Sequence, residues 1–225
     1  MMRHVIGSIN VLIRKNLGYG AVTDWNFSDE ERRDCFCNHQ FNVKACSIQG
    51  IFKTADVLAH DPESLACPAS MPIDVQIEEM VRFPIDEEEL RRYKESLGTT
   101  KPKKPYVFIF GHGLWNDLDV QATLNWLDKV VAETTTFFPR LMLTPNASGK
   151  KKPVEWRETQ GNEALMNFEE SIRVEAARRG VEHLGTWNMS IQSNKFDGVH
   201  LDLKGNMVKA MMVLNWLNML DVSQY

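Results

Sequence analysis

The sequence predicts an α/β fold built on a mostly parallel sheet, and three observations carry that prediction. Short apolar runs without polar alternation, YVFIF at 106–110 and RLMLT at 140–144, read as strands buried on both faces. Amphipathic helices follow each of them, at 119–134 and 162–180. Strand and helix then keep alternating to the end of the chain, the order that builds crossover units and hence a parallel sheet.

The elements follow in chain order. Residues 1–69 are polar, irregular and cysteine-bearing, with one helix expected near 47–60, and are read as an N-terminal part of the same domain. Residues 70–225 form the α/β core. IDVQIEEMVRF at 73–83 has the composition of a strand. IDEEELRRYKESLG at 85–98 reads as a surface helix with Glu87–Arg91 and Glu88–Arg92 pairs and a terminal glycine. After YVFIF, the helix at 119–134 carries Val120, Leu124, Leu127 and Val131 at helical spacing. RLMLT ends at a Pro-Asn turn. The helix at 162–180 stops at Gly180, VEHLGTW at 181–187 is a third strand, and KGNMVKAMMVLNWLNML at 204–220 is the closing helix.

Composition narrows the function classes. A chain of 225 residues that is 43% hydrophobic and 25% charged can bury a sizeable core. Its net charge of −4 gives no electrostatic footprint for a nucleic-acid partner. The basic runs KPKKP (101–105) and GKKKP (149–153) contain proline and read as solvated loops. No apolar run reaches the roughly 18 residues of a membrane span. The N-terminal MMRHVIGSINVLIRKNLG lacks the long apolar stretch and cleavage site of a signal peptide.

Two features nevertheless point to the secretory pathway or the extracellular space. Cys35, Cys37, Cys46 and Cys67 cluster in one loop-rich region, which suits disulfides, with three connectivities open. The C-x-C-x-H spacing of Cys35, Cys37 and His39, with Cys46, does not match a zinc pattern, so no metal is assigned. Asn26, Asn146 and Asn188 each begin a glycosylation sequon.

The residues that carry chemistry lie in two loops. In KFDGVHLDLKG (195–205), Asp197 and His200 stand three positions apart, just before the last helix. A hydroxyl nucleophile needs a base to take its proton, and the base needs an acceptor to fix its tautomer; this pair can supply both. The loop GHGLWND (111–117) follows the strand YVFIF, where α/β folds collect functional groups. Its Gly111, Gly113 and Asn116 can offer donors to an oxyanion, and His112 and Trp115 can line the site. Asp117 is read as the cap of the following helix. His183 is read as a structural residue.

These two loops, in this order, resemble the SGNH (GDSL-like) hydrolase superfamily, in particular its esterase branch related to polysaccharide O-acyl modification and that branch's fungal relatives. Gly113, Asn116 and Asp117 resemble the third family block, one residue longer than the compact G-x-N-D form, and His112 resembles the G-H variants of the esterase branch. Asp197 and His200 resemble the final Asp-x-x-His block. The likeness spans about residues 70–220. It implies a flavodoxin-like three-layer α/β/α fold, ester hydrolysis or acyl transfer through a serine, an acyl-ester substrate that can be an acylated glycan, and no cofactor.

The family's first block, a G-D-S carrying the nucleophile after the first strand, is absent. Gly7-Ser8 is the nearest match: it follows a very short apolar run, lacks the Asp and opens a possible helix. Ser8 is thus a poor match to the nucleophile that the resemblance implies. The expectation is that the chain begins inside the family domain, without the first strand, the nucleophile and any signal or anchor. A non-catalytic domain that keeps the fold is the alternative.

Overall fold

The computed structural model describes residues 2, 4, 5, 8, 9 and 12, and residues 84–97, 106–134, 139–195 and 197–221. The expected strand at 73–83, the helix near 47–60, the four cysteines and Asn26 lie outside the described residues. The chain divides into two compact units, residues 78–191 with 220–225, and residues 1–77 with 192–219. The closing helix, expected in the α/β core, therefore groups with the N-terminal part.

The larger unit opens with helix α1, Glu87–Leu97. Asp86 caps it, its Oδ1 accepting from Glu89 N at 2.7 Å, and three glutamates in the first turn complement the helix dipole. Arg91 turns forward to Glu95 at 2.6 Å rather than back to Glu87, an exposed pair worth about 0.3–0.5 kcal/mol. Strand β1 (Phe108–Gly111) leads through a 3₁₀ turn at Leu114–Asn116 into α2 (Val120–Glu133). Strand β2 (Arg140–Leu143) is followed by a 3₁₀ turn at Val154–Trp156 and helix α3 (Asn162–Arg178). Strand β3 (Glu182–Leu184) and the one-turn helix α4 (Trp187–Ser190) complete the unit.

The three strands are parallel in the order β1-β2-β3, with Phe108 opposite Arg140 and Leu143 opposite Leu184. This is an α/β fold. Position in the sheet decides burial: all four residues of central β2 are buried, whereas Phe108 and Ile109 of β1 are only half-buried. RLML, not YVFIF, is thus the strand covered on both faces. Since β1-α2-β2 and β2-α3-β3 advance in one direction, right-handed crossovers place α2 and α3 on one face, where they touch. Leu124, Leu127 and Val130 of α2 meet Leu165, Phe168 and Ile172 of α3 in a single core. Each such buried side chain contributes about 1.5–3 kcal/mol.

Helix α3 stops where the sequence says it should. Gly180 takes φ 66°, its N–H bonds to Ala177 O at 3.1 Å, and Val181 N bonds to Ala176 O at 3.0 Å. That is a Schellman motif, sealed by the buried Val181.

In the second unit, helix α5 (Leu203–Met219) is capped by Asp202, whose Oδ1 accepts from Gly205 N at 2.8 Å. It buries Ala210, Val213 and Trp216. Residues 4, 5, 8, 9 and 12 have helical backbone, and Val5, Ser8 and Ile9 among them are buried.

Candidate functional site

The loop before α5 builds the Asp197–His200 pair. Asp197 Oδ1 accepts from Val199 N at 2.9 Å and His200 N at 2.8 Å, which fixes the carboxylate in an Asx turn. Oδ2 is then aimed at His200 Nδ1, 2.5 Å away. Gly198, at φ 80°, supplies the left-handed step that lets Val199 and His200 turn their N–H groups back. The loop is closed at its neck by a bridge between Lys195 and Leu201 and by Asp202 N bonding to Asn194 O at 3.0 Å. Burial pushes the Asp197 carboxyl up, but the bonds from the His200 ring and from the backbone of His200 and Val199 outweigh it and hold the group at about 2. The carboxylate is therefore ionised near neutrality, and Nδ1 faces it as the donor.

A residue that sequence reading missed stands beside the pair. The His4 ring packs edge-on against that of His200, with centroids 5.3 Å apart. No local pattern joins two histidines so far apart in sequence. Ser8 lies four residues after His4, on the same helical face. It is only 3% exposed and sits within helical backbone, not at the turn after a strand where the resemblance would put a nucleophile.

The GHGLWND loop belongs to the larger unit. Gly113 adopts φ 136°, and a Cβ there would lie 2.8 Å from Pro145 Cγ and 2.9 Å from Phe168 Cε1, so only glycine fits. Asp117 and Leu118 take φ values of 54° and 60°, two consecutive left-handed residues that are not glycine, a geometry that stores strain. The Asn116 amide donates to Asp119 O at 3.0 Å and Thr123 Oγ1 at 2.9 Å. Both of its hydrogens are thus spent inside the loop, which leaves neither for the oxyanion role expected of it. Asp119, not Asp117, caps α2, accepting from Ala122 N at 2.9 Å; Asp117 Oδ1 instead accepts from Gln160 Nε2 at 3.0 Å. Gly111 is the exposed last residue of β1. His112 stacks on Trp126 with ring centroids 4.5 Å apart and meets Thr123 Oγ1 at 3.0 Å, and burial pushes its ring down to about 4. It is neutral at physiological pH. Trp115 projects from the loop almost fully exposed.

A further polar cluster lies where β2 and β3 end. Glu169 Oε2 accepts from Thr144 Oγ1 at 2.6 Å, Thr186 N at 3.0 Å and Trp187 N at 3.1 Å. Because the Thr144 hydroxyl gives its one hydrogen to Glu169, His183 Nε2, 3.2 Å from that oxygen, must be a donor. Burial pushes the His183 ring down, with Glu169 pulling the other way. A second hydroxyl, Thr186 Oγ1, bonds to Thr144 O at 2.7 Å and reaches Asn146 Oδ1 at 3.3 Å. Thr144 and Thr186 are buried, so the cluster fastens the ends of the strands together. The sequence does carry a signal for Glu169, which falls on the apolar stripe of Leu165, Phe168 and Ile172.

Of the sequons, Asn146 is buried in that cluster, which excludes a glycan on the folded unit, while Asn188 is exposed. Among the described residues, no group of three or more His, Cys, Asp or Glu is placed to hold a metal, and no helix is long and apolar enough to cross a membrane.

No protein-family model matches the chain. No curated protein matches it either. A solved structure, that of a carbohydrate acetylesterase from Sinorhizobium meliloti, is similar over 58% of this chain and 67% of that one, with 15% identity and a TM-score of 0.42. A likeness that distant assigns neither family nor activity.

Proposed function

We propose that the chain is an ester hydrolase or acyl-transfer domain of the SGNH type, acting on an acyl ester such as an acylated glycan, with Asp197 and His200 as its acid–base pair. The observation that carries this reading is the 2.5 Å contact between Asp197 Oδ2 and His200 Nδ1, in a carboxylate already locked by two backbone N–H groups. That arrangement makes Nδ1 the donor, so in the neutral imidazole the lone pair lies on Nε2, the tautomer a general base requires. Ser8 is the nucleophile candidate of the same unit. Its hydroxyl would attack the ester carbonyl as His200 Nε2 takes the proton. The imidazolium, stabilised by Asp197, would return that proton to the departing alcohol, and water or an acceptor hydroxyl would then release the acyl group from Ser8.

The second reading is a non-catalytic domain that keeps the pair. The burial of Ser8 inside helical backbone favours it. One experiment separates the two. The protein is treated with a fluorophosphonate, digested and mapped by mass spectrometry, and hydrolysis of 4-nitrophenyl acetate is measured in parallel for wild type, Ser8→Ala and His200→Ala. A labelled Ser8, with hydrolysis lost in both variants, supports the esterase. Labelling at another serine removes Ser8 from the mechanism. An unlabelled protein without hydrolysis leaves the binding reading.

A further inference from the structure

We infer that the tip of the GHGLWND loop, led by Trp115, is a stacking platform for a neutral pyranose ring of a glycan. The Trp115 side chain is 85% exposed, which leaves a large apolar plane in water. The turn that carries it is held from several sides. Leu118 N bonds to Gly113 O at 2.9 Å, the Asn116 amide closes on Asp119 and Thr123, and Gln160 Nε2 reaches both Leu114 O at 3.2 Å and Asp117 Oδ1 at 3.0 Å. A rigid aromatic needs little ordering on contact, which is what lets a small patch hold a weakly binding ligand.

Gln160 also ties in the second 3₁₀ turn, its own N–H bonding to Trp156 O at 3.0 Å. That turn presents Val154, 72% exposed, and Trp156, 47% exposed. Three such side chains fall short of the ~800 Å² per partner of a stable protein interface. Exposed Lys150, Lys151 and Arg157 are offset by exposed Glu155 and Glu158 and by exposed Asp117 and Asp119 of the Trp115 loop, so the surroundings lack the cationic excess that an anionic membrane surface selects. A pyranose ring matches both features: an apolar C–H face to lie on the indole, and hydroxyls at its edge to meet donors and acceptors of both signs.

This inference rests on the glycan half of the proposed function and on none of its ester chemistry, so binding alone tests it. In ¹⁵N-labelled protein, the indole resonance absent from Trp115→Phe is that of Trp115. Cellohexaose, mannohexaose, xylohexaose and chitohexaose are titrated in turn to about 10 mM, a range that covers millimolar affinities. The Trp115 resonance moves and saturates with at least one of them, and Trp115→Ala weakens that affinity by about tenfold or more, or about 1.4 kcal/mol. The inference is overturned if no sugar moves the resonance, if Trp115→Ala binds as wild type does, or if only phosphatidylcholine vesicles shift it. A protein that binds sugar but hydrolyses no ester refutes the esterase and leaves the platform standing; the reverse result refutes the platform alone.

Discussion

In an Asp197→Asn variant, the amide must place its oxygen where Asp197 Oδ1 now accepts from the N–H groups of Val199 and His200, because an NH₂ cannot face two donors. The NH₂ then stands at the position of Oδ2, 2.5 Å from His200 Nδ1 in the wild type. Two donors cannot meet there, so the imidazole proton moves to Nε2, and the nitrogen that should accept the serine proton is blocked. Loss of the correct tautomer in such a triad lowers kcat by about 10⁴-fold, or about 5.5 kcal/mol. The fold loses much less. Asp197 is held at about 2 against an ordinary 3.8, a depression formally worth roughly 2.4 kcal/mol. Its side chain is 37% exposed, and solvent screening reduces that to about 1 kcal/mol. Since the carboxyl is depressed, this contribution is complete above pH 3.8 and is lost as pH falls toward 2. Two measurements check the prediction: the His200 tautomer from long-range ¹H–¹⁵N correlation, and ester hydrolysis by the same samples. A variant that keeps its proton on Nδ1 would refute the geometric argument whether or not any turnover is seen. A switched tautomer with unchanged turnover would remove His200 from the chemistry.

Two further outcomes follow from the larger unit. Gly113→Ala forces a Cβ to within 2.8 Å of Pro145 and 2.9 Å of the buried Phe168 ring at φ 136°, and should cost roughly 3 kcal/mol in urea unfolding; a change below about 1 kcal/mol would show that the loop yields freely. His112 is pushed from 6.5 to about 4, so the unfolded chain takes up its proton first, and stability falls as pH drops from 6.5 toward 4 by at most roughly 3 kcal/mol. In His112→Gln the difference from wild type should shrink by that amount between pH 7 and pH 4.5, and a parallel pair of curves would contradict the burial of the ring.

Periodicity and stop signals placed α1, α2, α3 and the three strands to within a few residues. These features are local, and the Schellman motif at Gly180 is set by the residues that spell it. What sequence could not supply depends on neighbours. YVFIF and RLML look alike as strings, and only the order of the sheet makes one of them central. Asn116, Asp117 and Asp119 are all plausible caps by composition. The choice falls to Asp119 because Asp117 and Leu118 are left-handed, which no glycine announces. The Asp197–His200 pair was legible because its two members are three residues apart, whereas the approach of His4 joins distant parts of the chain. The helix that Gly7-Ser8 is expected to open is there too, since residues 8, 9 and 12 have helical backbone.

The 195–201 loop, pinned at its neck, has a consequence for how this chain can change over time. Asp197 takes its two backbone N–H donors and its ring partner from within that loop, while the His4 ring lies against His200 from outside it. A graft of the seven residues onto another helix start would carry the bonds to the carboxylate along, but not the packing of His4 on the ring. A lineage could therefore keep this hydrogen-bonded pair while the helix behind it is replaced, because the carboxylate and the ring travel together on one short segment.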